Sequence, residues 1–488
     1  MPRLVIAGLS GDSGKTVVSL ALLAALRRKG LRPSVFKKGP DYIDAAWLGR
    51  AARTPCRNLD TYMVEPGVVR RRFASHAAGS DIAVIEGNRG LFDGQDADGT
   101  HSTAALAGLL GAPVALVVCV QKMTRTTAAL IRGCLSFPPR ADIVGVILNK
   151  VAGRRHADIV SSAVTKACGL PVLGVIPRLG DDAALIPGRH LGLVTPAEWG
   201  LAMGCGGGRH RLAGLDARLL AVAGRHLDVE GLIAAAGKAA PLAGGVERRD
   251  PAETPSVKKR VRIAYFKDRV FTFYYPENLE ALAARGAELV GVSSLDDDSL
   301  PDADALYIGG GFPETHAERL AGNRPMMDSV RAASDAGLPI YAECGGLIYL
   351  SRSIVFQGVR HPMAGVFPVD LLMHPRPAGH GYTRARVDRP NPFFATGSEI
   401  KGHEFHYSAP RLIPREARTC LRVELGTGLG DRRDGLVHGN AMACFTHIHA
   451  DGARDWAARM VSQAATFAEK WRGRHAAPSG LDAAANQI

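Results

Sequence analysis

Short apolar runs alternate with helix-length amphipathic segments along most of the chain. Leu4–Ala7, Ile82–Ile85, Val114–Val120, Ile143–Leu148 and Val172–Ile176 have the continuous apolar character of buried strands. Helix-length segments separate them, the first running from about Gly14 to Lys29. Strands alternating with helices predict βαβ units and a mostly parallel sheet. From about Gly204 to Lys259 the pattern loosens. A glycine cluster (Gly204, Gly206, Gly207, Gly208) leads into an Ala/Leu-rich helical stretch, and Pro241–Lys259 has the Pro, Gly and charge content of a linker. Val261–Tyr265 restarts the strand pattern, which Leu289–Val292, Ala305–Ile308 and Ile340–Tyr341 continue. Ala477–Ile488 reads as a disordered tail. The expected division is 1–200, a helical segment and linker at 201–259, a second domain at 260–472, and a tail at 473–488.

Composition narrows the classes. At roughly 100–200 residues per domain, a chain of 488 residues holds several domains. No apolar run approaches the ~20 residues that span a bilayer. Met1-Pro2-Arg3 leads directly into a strand-like run, which argues against a signal peptide. Eight scattered cysteines with no C-x-x-C pair argue against a zinc site or disulfide framework and for a reducing cytoplasm. The net charge of +13 suits nucleic acid, but equally nucleotides and polyanionic small substrates. No Lys/Arg tract is interleaved with aromatics and no nucleic-acid module is present, so neither nucleic acid nor membrane is expected as a partner.

Two motifs carry chemistry. Residues 7–16 read A-G-L-S-G-D-S-G-K-T between a predicted strand and a predicted helix. Backbone N–H groups of such a loop wrap a polyphosphate, and the helix N-terminus adds positive potential. Gly8, Gly11, Asp12, Ser13, Gly14, Lys15 and Thr16 are therefore the expected ATP site, with Lys15 on the β/γ-phosphates and Thr16 on Mg²⁺. The usual first glycine position is Leu9, so this is a variant loop. Acids expected to serve the metal and the phosphates are Glu86 at a strand end, Asp41 and Asp44, and Asp93; together they suggest a Mg²⁺–phosphate cage.

The second motif, I-Y-A-E-C-G-G-L at 340–347, is a strand, a cysteine and a small-residue turn into a helix. That is the logic of a nucleophile elbow. The helix N-terminus is expected to lower the Cys344 pKa, and the Gly345 N–H to help hold an oxyanion. Gly310 and Gly311, in a turn after another strand, supply a second donor set. His447 is the leading candidate base, His403 and His406 the weaker ones. For a lone cysteine a buried core thiol is the ordinary alternative; the elbow favours catalysis.

Together these phrases resemble the cobyrinate a,c-diamide synthase family. The matching stretches are F-K-K-G-P-D-Y-I-D at 36–44, R-N-L-D at 57–60, V-I-E-G at 84–87, G-L-F-D-G at 90–94, R-H-L-G-L at 189–193, F-T-F-Y-Y-P-E-N-L at 271–279, the flanks of Cys344, and G-H-E-F-H-Y-S at 402–408. The resemblance implies two three-layer α/β/α domains with mostly parallel sheets, the first like a P-loop NTPase of the dethiobiotin-synthetase type, the second like a class I glutamine amidotransferase. It implies a carbon–nitrogen ligase that takes ATP, Mg²⁺, glutamine and an anionic tetrapyrrole, and it leaves a homodimer open. Cys344, activated by His447, would release ammonia from glutamine. Asp41, Asp44, Glu86 and Asp93 fall on family positions that handle nucleotide, metal or substrate.

The departures concern substrate and triad. Many class I amidotransferases carry a Glu two residues after the catalytic His; here His449 stands there, as cobyrinate synthases also lack that Glu. A His often found after the second Asp of the 36–44 phrase is replaced within Ala45–Leu48, and Cys119 stands where an acid is common. Lys122 and Arg125 make Gln121–Thr127 basic. These features look similar to a sulfite-reductase-linked branch that amidates sirohaem or sirohydrochlorin. The macrocycle is expected near Tyr42, Trp47, Lys122 and Arg125, with Trp47 either covering a ring edge or packing in the core. A partner-dependent P-loop ATPase without amidase activity would account for residues 8–16 but not for Cys344 and His447.

Overall fold

The structure, a computed structural model, describes residues 1–179, 188–189, 192–201, 204–242 and 260–475. Most of the expected linker, the whole expected tail from residue 477, and part of the 189–193 phrase lie outside the described residues. The chain forms two compact units, one within Met1–Asp250 and one within Pro251–Ile488.

In the first unit β1 (Arg3–Gly8), β2 (Pro33–Lys38), β3 (Arg57–Leu59), β4 (Ile82–Glu86), β5 (Val114–Cys119), β6 (Ile143–Val151) and β7 (Val172–Pro177) form one sheet in the order β3-β2-β4-β1-β5-β6-β7. Every pairing is parallel. The central strands β1 and β4 are buried throughout, which is why they read as unbroken apolar runs. Helix α1 (Lys15–Arg28) follows β1, and α2 (Ile43–Ala52) follows β2. The carboxyl ends of β1, β2 and β4 therefore bring Gly8, Lys38 and Glu86 to one edge of the sheet, where open α/β folds bind ligands.

The core does not stop at residue 200. Helices Gly204–His226 and Val229–Gly237 belong to the same unit, and Leu215, Leu219, Val222, Leu232 and Ala236 share the cluster that holds Leu22 and Leu26 of α1. Their spacing makes one apolar stripe, which must be buried against something. The segment expected to stand apart at 201–259 is thus, through its helices, part of the first unit. Arg3 strengthens this closure: its guanidinium donates to Leu110 O at 2.7 Å and also to Ala240 O.

The second unit is built on a ten-stranded sheet. Its strands run in the order Ala287–Val292, Val261–Phe266, Ala305–Ile308, Ile340–Glu343, Ala441–Cys444, Arg433–His438, Arg418–Leu425, Gly379–Val387, Glu399–His406 and His447–Ile448. Pairing is parallel from the first to Ala441–Cys444 and antiparallel beyond. The expected parallel sheet is therefore present and carries an antiparallel extension. That extension folds back so that His447 pairs with His403. Tyr307, Tyr341 and Trp456 pack ring to ring beneath the parallel part. The last helix, Trp456–His475, runs beyond the expected boundary at 472.

Candidate active sites

The loop between β1 and α1 is shaped by two close approaches. Gly14 has φ +95°, and a Cβ there would sit 2.1 Å from Asn149 Nδ2, which donates to Ser13 O at 2.8 Å. A Cβ on Gly8 would sit 2.2 Å from Ser13 Oγ and 2.9 Å from Lys15 Nζ. Gly11 faces open space, so its expected role has no steric requirement behind it. Asp12 is exposed, with φ +52°. Lys15 folds back over the loop and donates to Ser10 O at 3.1 Å and Arg89 O at 2.8 Å. Burial, then the charge of Lys37, hold the Lys15 ammonium below the ordinary lysine range. The buried Ser13 hydroxyl has no hydrogen-bond partner among the described residues.

At the neighbouring strand ends the acids converge, but around a lysine. Lys37 Nζ donates to Asp44 Oδ2 and Glu86 Oε1, both at 2.7 Å, and to Gly87 O at 3.2 Å. Thr16 Oγ1 donates to Glu86 Oε1 at 3.2 Å, and the Asp44 N–H donates to Asp41 Oδ1 at 2.8 Å. Burial opposes the charge on Lys37, yet Asp44 and Glu86 outweigh it and raise its pKa. Burial raises Glu86 against the pull of Lys37. Asp41 is pushed up to about 7 by burial and by the negative charge of Asp44.

The four acids expected to form a cage, Glu86, Asp41, Asp44 and Asp93, are not laid out as a ready-made cation site. Among the described residues no cluster of three or more His, Cys, Asp or Glu side chains is arranged to hold a metal. The physical reason is that adjacent carboxylates at a dry strand edge repel, and an ammonium ion neutralises them. One metal-binding element fits nonetheless. Among the described residues Glu86 Oε2 is buried and makes no hydrogen bond within normal bonding distance, beside the Thr16 hydroxyl and the phosphate loop. Mg²⁺ on a nucleotide needs only one or two protein ligands besides phosphates and water. Asp93 lies in the adjoining loop and accepts from the Gly90 N–H at 2.8 Å, while Leu91 N donates to Gly8 O at 2.7 Å.

Of the residues expected to meet a macrocycle, Lys122 and Arg125 are exposed near the start of the helix Arg125–Ser136, and Tyr42 is half-buried just before α2. Trp47 is different. It is 0% exposed, donates from Nε1 to Val194 O at 2.9 Å and packs edge-on against Trp199. It takes the core role, so the expected ring contact is withdrawn.

In the second unit Cys344 sits between the strand Ile340–Glu343 and the short helix Gly345–Leu350, with φ +47° and ψ −98°. A non-glycine residue in that region is strained, as an elbow requires. Gly310 and Gly311 approach closely from one side: a Cβ on Gly310 would lie 2.5 Å from His447 Cε1, and one on Gly345 would lie 2.8 Å from Gly311 N. The predicted nucleophile turn, donor turn and base are thus brought together. The expected lowered pKa is not found. Burial pushes the Cys344 thiol up, Glu314 adds to this, and the Gly345 N–H pulls down by less. A helix of six residues has too small a dipole to outweigh that desolvation.

His447 lies beside a residue the sequence reading quoted but gave no role. Its Nδ1 lies 3.3 Å from Glu343 Oε2, and Glu343 is the residue before Cys344. His403 stacks on His447 at 4.8 Å and shares a hydrogen bond with Tyr275 Oη at 2.9 Å. Burial, then His447, hold His403 well below the ordinary imidazole range. His406 is engaged elsewhere, stacked on Phe445 and bonded to Ser408 O at 2.7 Å. Asp434 secures the turn before His447, accepting from the N–H groups of Phe445 and Thr446 at 3.1 and 3.2 Å.

A nucleotide-binding α/β unit joined to a unit of amidotransferase type defines the class, a glutamine-dependent amide ligase. Residues 4–190 match the family described as CobQ/CobB/MinD/ParA nucleotide binding domain, and residues 262–455 match the CobB/CobQ-like glutamine amidotransferase domain. The chain is similar to cobyrinate a,c-diamide synthase of Magnetococcus marinus, 43% identical over 461 residues covering 94% of this chain and 96% of the relative. It is 40% identical over 465 residues to the synthase of that name from Archaeoglobus fulgidus, covering 95% and 98%, and 37% identical over 485 residues to that of Methanosarcina acetivorans, covering 96% of each. The chain belongs to the cobyrinate a,c-diamide synthase family. Among the described residues no helix is long and apolar enough to cross a membrane.

Proposed function

We propose that this enzyme uses ATP and glutamine to convert the a and c acetate carboxylates of a cobyrinate-type tetrapyrrole into amides. The observation that carries the reading is the similarity to relatives named for that reaction along nearly the full length of both chains. The loop at Gly8–Thr16 and the elbow at Cys344 supply the two chemistries the reaction needs.

In the first unit, Ser13, Gly14 and Lys15 bind the phosphates of ATP, and Thr16 with Glu86 Oε2 would hold Mg²⁺, which supplies charge neutralisation when bound. A substrate carboxylate oxygen attacks the terminal phosphorus, the bond to the β-phosphate oxygen breaks, and ADP leaves. Asp41 and Asp44 line this edge with Lys37, and Asp93 holds the loop whose Arg89 carbonyl positions Lys15. Ammonia then attacks the acyl carbon, phosphate departs, and a proton is lost to give the amide. Lys122 and Arg125, both exposed, attract the anionic macrocycle.

In the second unit the Cys344 sulfur attacks the glutamine carboxamide carbon. Because burial keeps the thiol protonated, its proton passes to His447 as the bond forms. The N–H groups of Gly345 and of the Gly310–Gly311 turn face the developing oxyanion. His447 returns the proton to departing ammonia, and water then hydrolyses the thioester to glutamate.

The test offers cobyrinic acid, sirohydrochlorin and sirohaem separately with glutamine and MgATP, followed by mass spectrometry. Each amidation replaces OH by NH₂, a loss of about one mass unit and of one negative charge. Two successive steps on cobyrinic acid support the reading. Two steps confined to a sirohaem-type ring reassign the substrate, and no product from any of the three removes the tetrapyrrole.

A further inference from the structure

We infer that Glu343, the residue before the nucleophile, is the positioning carboxylate that orients His447 and balances its charge when Cys344 attacks. This rests on the reading of Cys344 as nucleophile. The place where many class I amidotransferases keep that acid holds His449, whose Nε2 lies 3.7 Å from Glu277 instead. Glu343 is 0% exposed. Among the described residues its only charged partner is His447, with Nδ1 3.3 Å from Oε2. Its other oxygen accepts from Tyr341 Oη at 3.1 Å and from the Ile448 N–H at 3.3 Å. A carboxylate kept this dry is costly unless each oxygen is used.

Three pieces of the fold converge to make the contact. Strand alternation places Tyr341 and Glu343 on one face, so the phenol steadies the carboxylate. The next parallel strand ends at Cys444, in register with Glu343, and Asp434 clamps the residues that follow. His447 is thereby delivered to the same carboxylate. A proton fixed on Nδ1 by Glu343 leaves Nε2 as the base, on the side of the Gly310 turn, where a Cβ would lie 3.3 Å from it. The carboxylate also favours the imidazolium that appears when Cys344 gives up its proton. Burial disfavours a charge on the stacked neighbour His403, which bonds to Tyr275.

The experiment uses the full-length enzyme with Glu343→Gln, Glu343→Asp and Tyr341→Phe. Glutaminase kcat, glutamine KM and the pH profile of kcat/KM are measured, with ammonia-driven amidation as a second readout. Glu343→Gln is expected to lower kcat on the order of 10²- to 10⁴-fold, as loss of an orienting carboxylate does in other triads. Glutamine KM should change by less than about threefold, because the group does not bind substrate. The acid limb of the profile should move to lower pH, since the imidazolium loses its counter-charge. Glu343→Asp, which keeps the charge, should exceed Glu343→Gln, and Tyr341→Phe should cost less than either. Glu343→Gln with wild-type kcat overturns the inference. So does a loss shared equally with ammonia-driven amidation, or an unmoved acid limb, because those outcomes describe a purely structural residue. Should Glu343→Gln not fold, Glu343→Ala replaces it in the same measurements, and wild-type kcat with an unmoved limb there also overturns the inference. Glutaminase persisting in Cys344→Ala would instead remove the nucleophile reading.

Discussion

The Lys37 ammonium lies 2.7 Å from Glu86 Oε1, with side chains 1% and 0% exposed, at the edge of the sheet where the phosphate loop begins. The pair ties β2 to β4, which are neighbours in register at these residues. It also sets what the site can do, because the same Glu86 oxygen accepts from Thr16. Neither partner can be removed cheaply. Lys37→Met would leave the fully buried Glu86 beside the partly exposed Asp44 without the ammonium that bonds to both. Removing one member of such a pair costs about 3–5 kcal/mol. Chemical denaturation should show that loss, and amidation should fall with either nitrogen donor; an unchanged denaturation midpoint would contradict the ion-pair account.

Asp41 makes stability depend on pH. Its folded pKa is pushed up to about 7, above the ~3.9 of an unfolded Asp. Between those values the folded state holds a proton that the unfolded state has released. The stabilisation is therefore complete below about pH 4 and is lost as pH rises through about 7. Asp41→Asn removes the titration and keeps an acceptor for the Asp44 N–H. Relative to wild type, the variant should gain on the order of 1–2 kcal/mol between pH 4 and pH 8, a figure discounted for partial exposure. Parallel stability curves for the two proteins would contradict this.

The glycines of the phosphate loop are not equivalent. Gly8→Ala would press a Cβ to 2.2 Å from Ser13 Oγ and 2.9 Å from Lys15 Nζ, both atoms assigned to phosphate. Gly11→Ala meets nothing within 4 Å. The first change is expected to weaken ATP binding by about tenfold or more, and the second by less than about threefold. Titration of each variant with ATP decides; similar losses for both would mean that the loop closes differently around the nucleotide.

Much of this was readable from the chain, for physical reasons that differ by residue. β1 and β4 are buried on both faces, so their apolar runs announce them. β2 was not read as a strand, because Pro33–Lys38 ends in two lysines, and only the contact with Asp44 and Glu86 makes Lys37 an interior residue. The antiparallel strands of the second unit were likewise missed: Arg418–Leu425 mixes exposed charged residues with buried ones and has no continuous apolar run. Cys344 was legible from its elbow, since a strand, a nucleophile and small residues are adjacent in sequence. The role of Glu343 was not, because its partner His447 is 104 residues away. Trp47 shows the converse: an aromatic beside a candidate site invites a ligand role, and its burial against Trp199 gives it a core one.

The central claim is that Cys344 frees ammonia which the nucleotide-binding unit then fixes into an amide. The most direct measurement compares glutamine with added ammonia as nitrogen donor, using MgATP and the accepted macrocycle, in wild type, Cys344→Ala and Lys15→Ala. Cys344→Ala should lose glutamine-driven amidation by a factor on the order of 10³ or more and retain the ammonia-driven rate, because thiolate attack serves only to release ammonia. Lys15→Ala should lose both, because its amine acts on phosphate before nitrogen is used. Equal loss with both donors in Cys344→Ala, or ammonia-driven product in Lys15→Ala at the wild-type rate, would contradict the account.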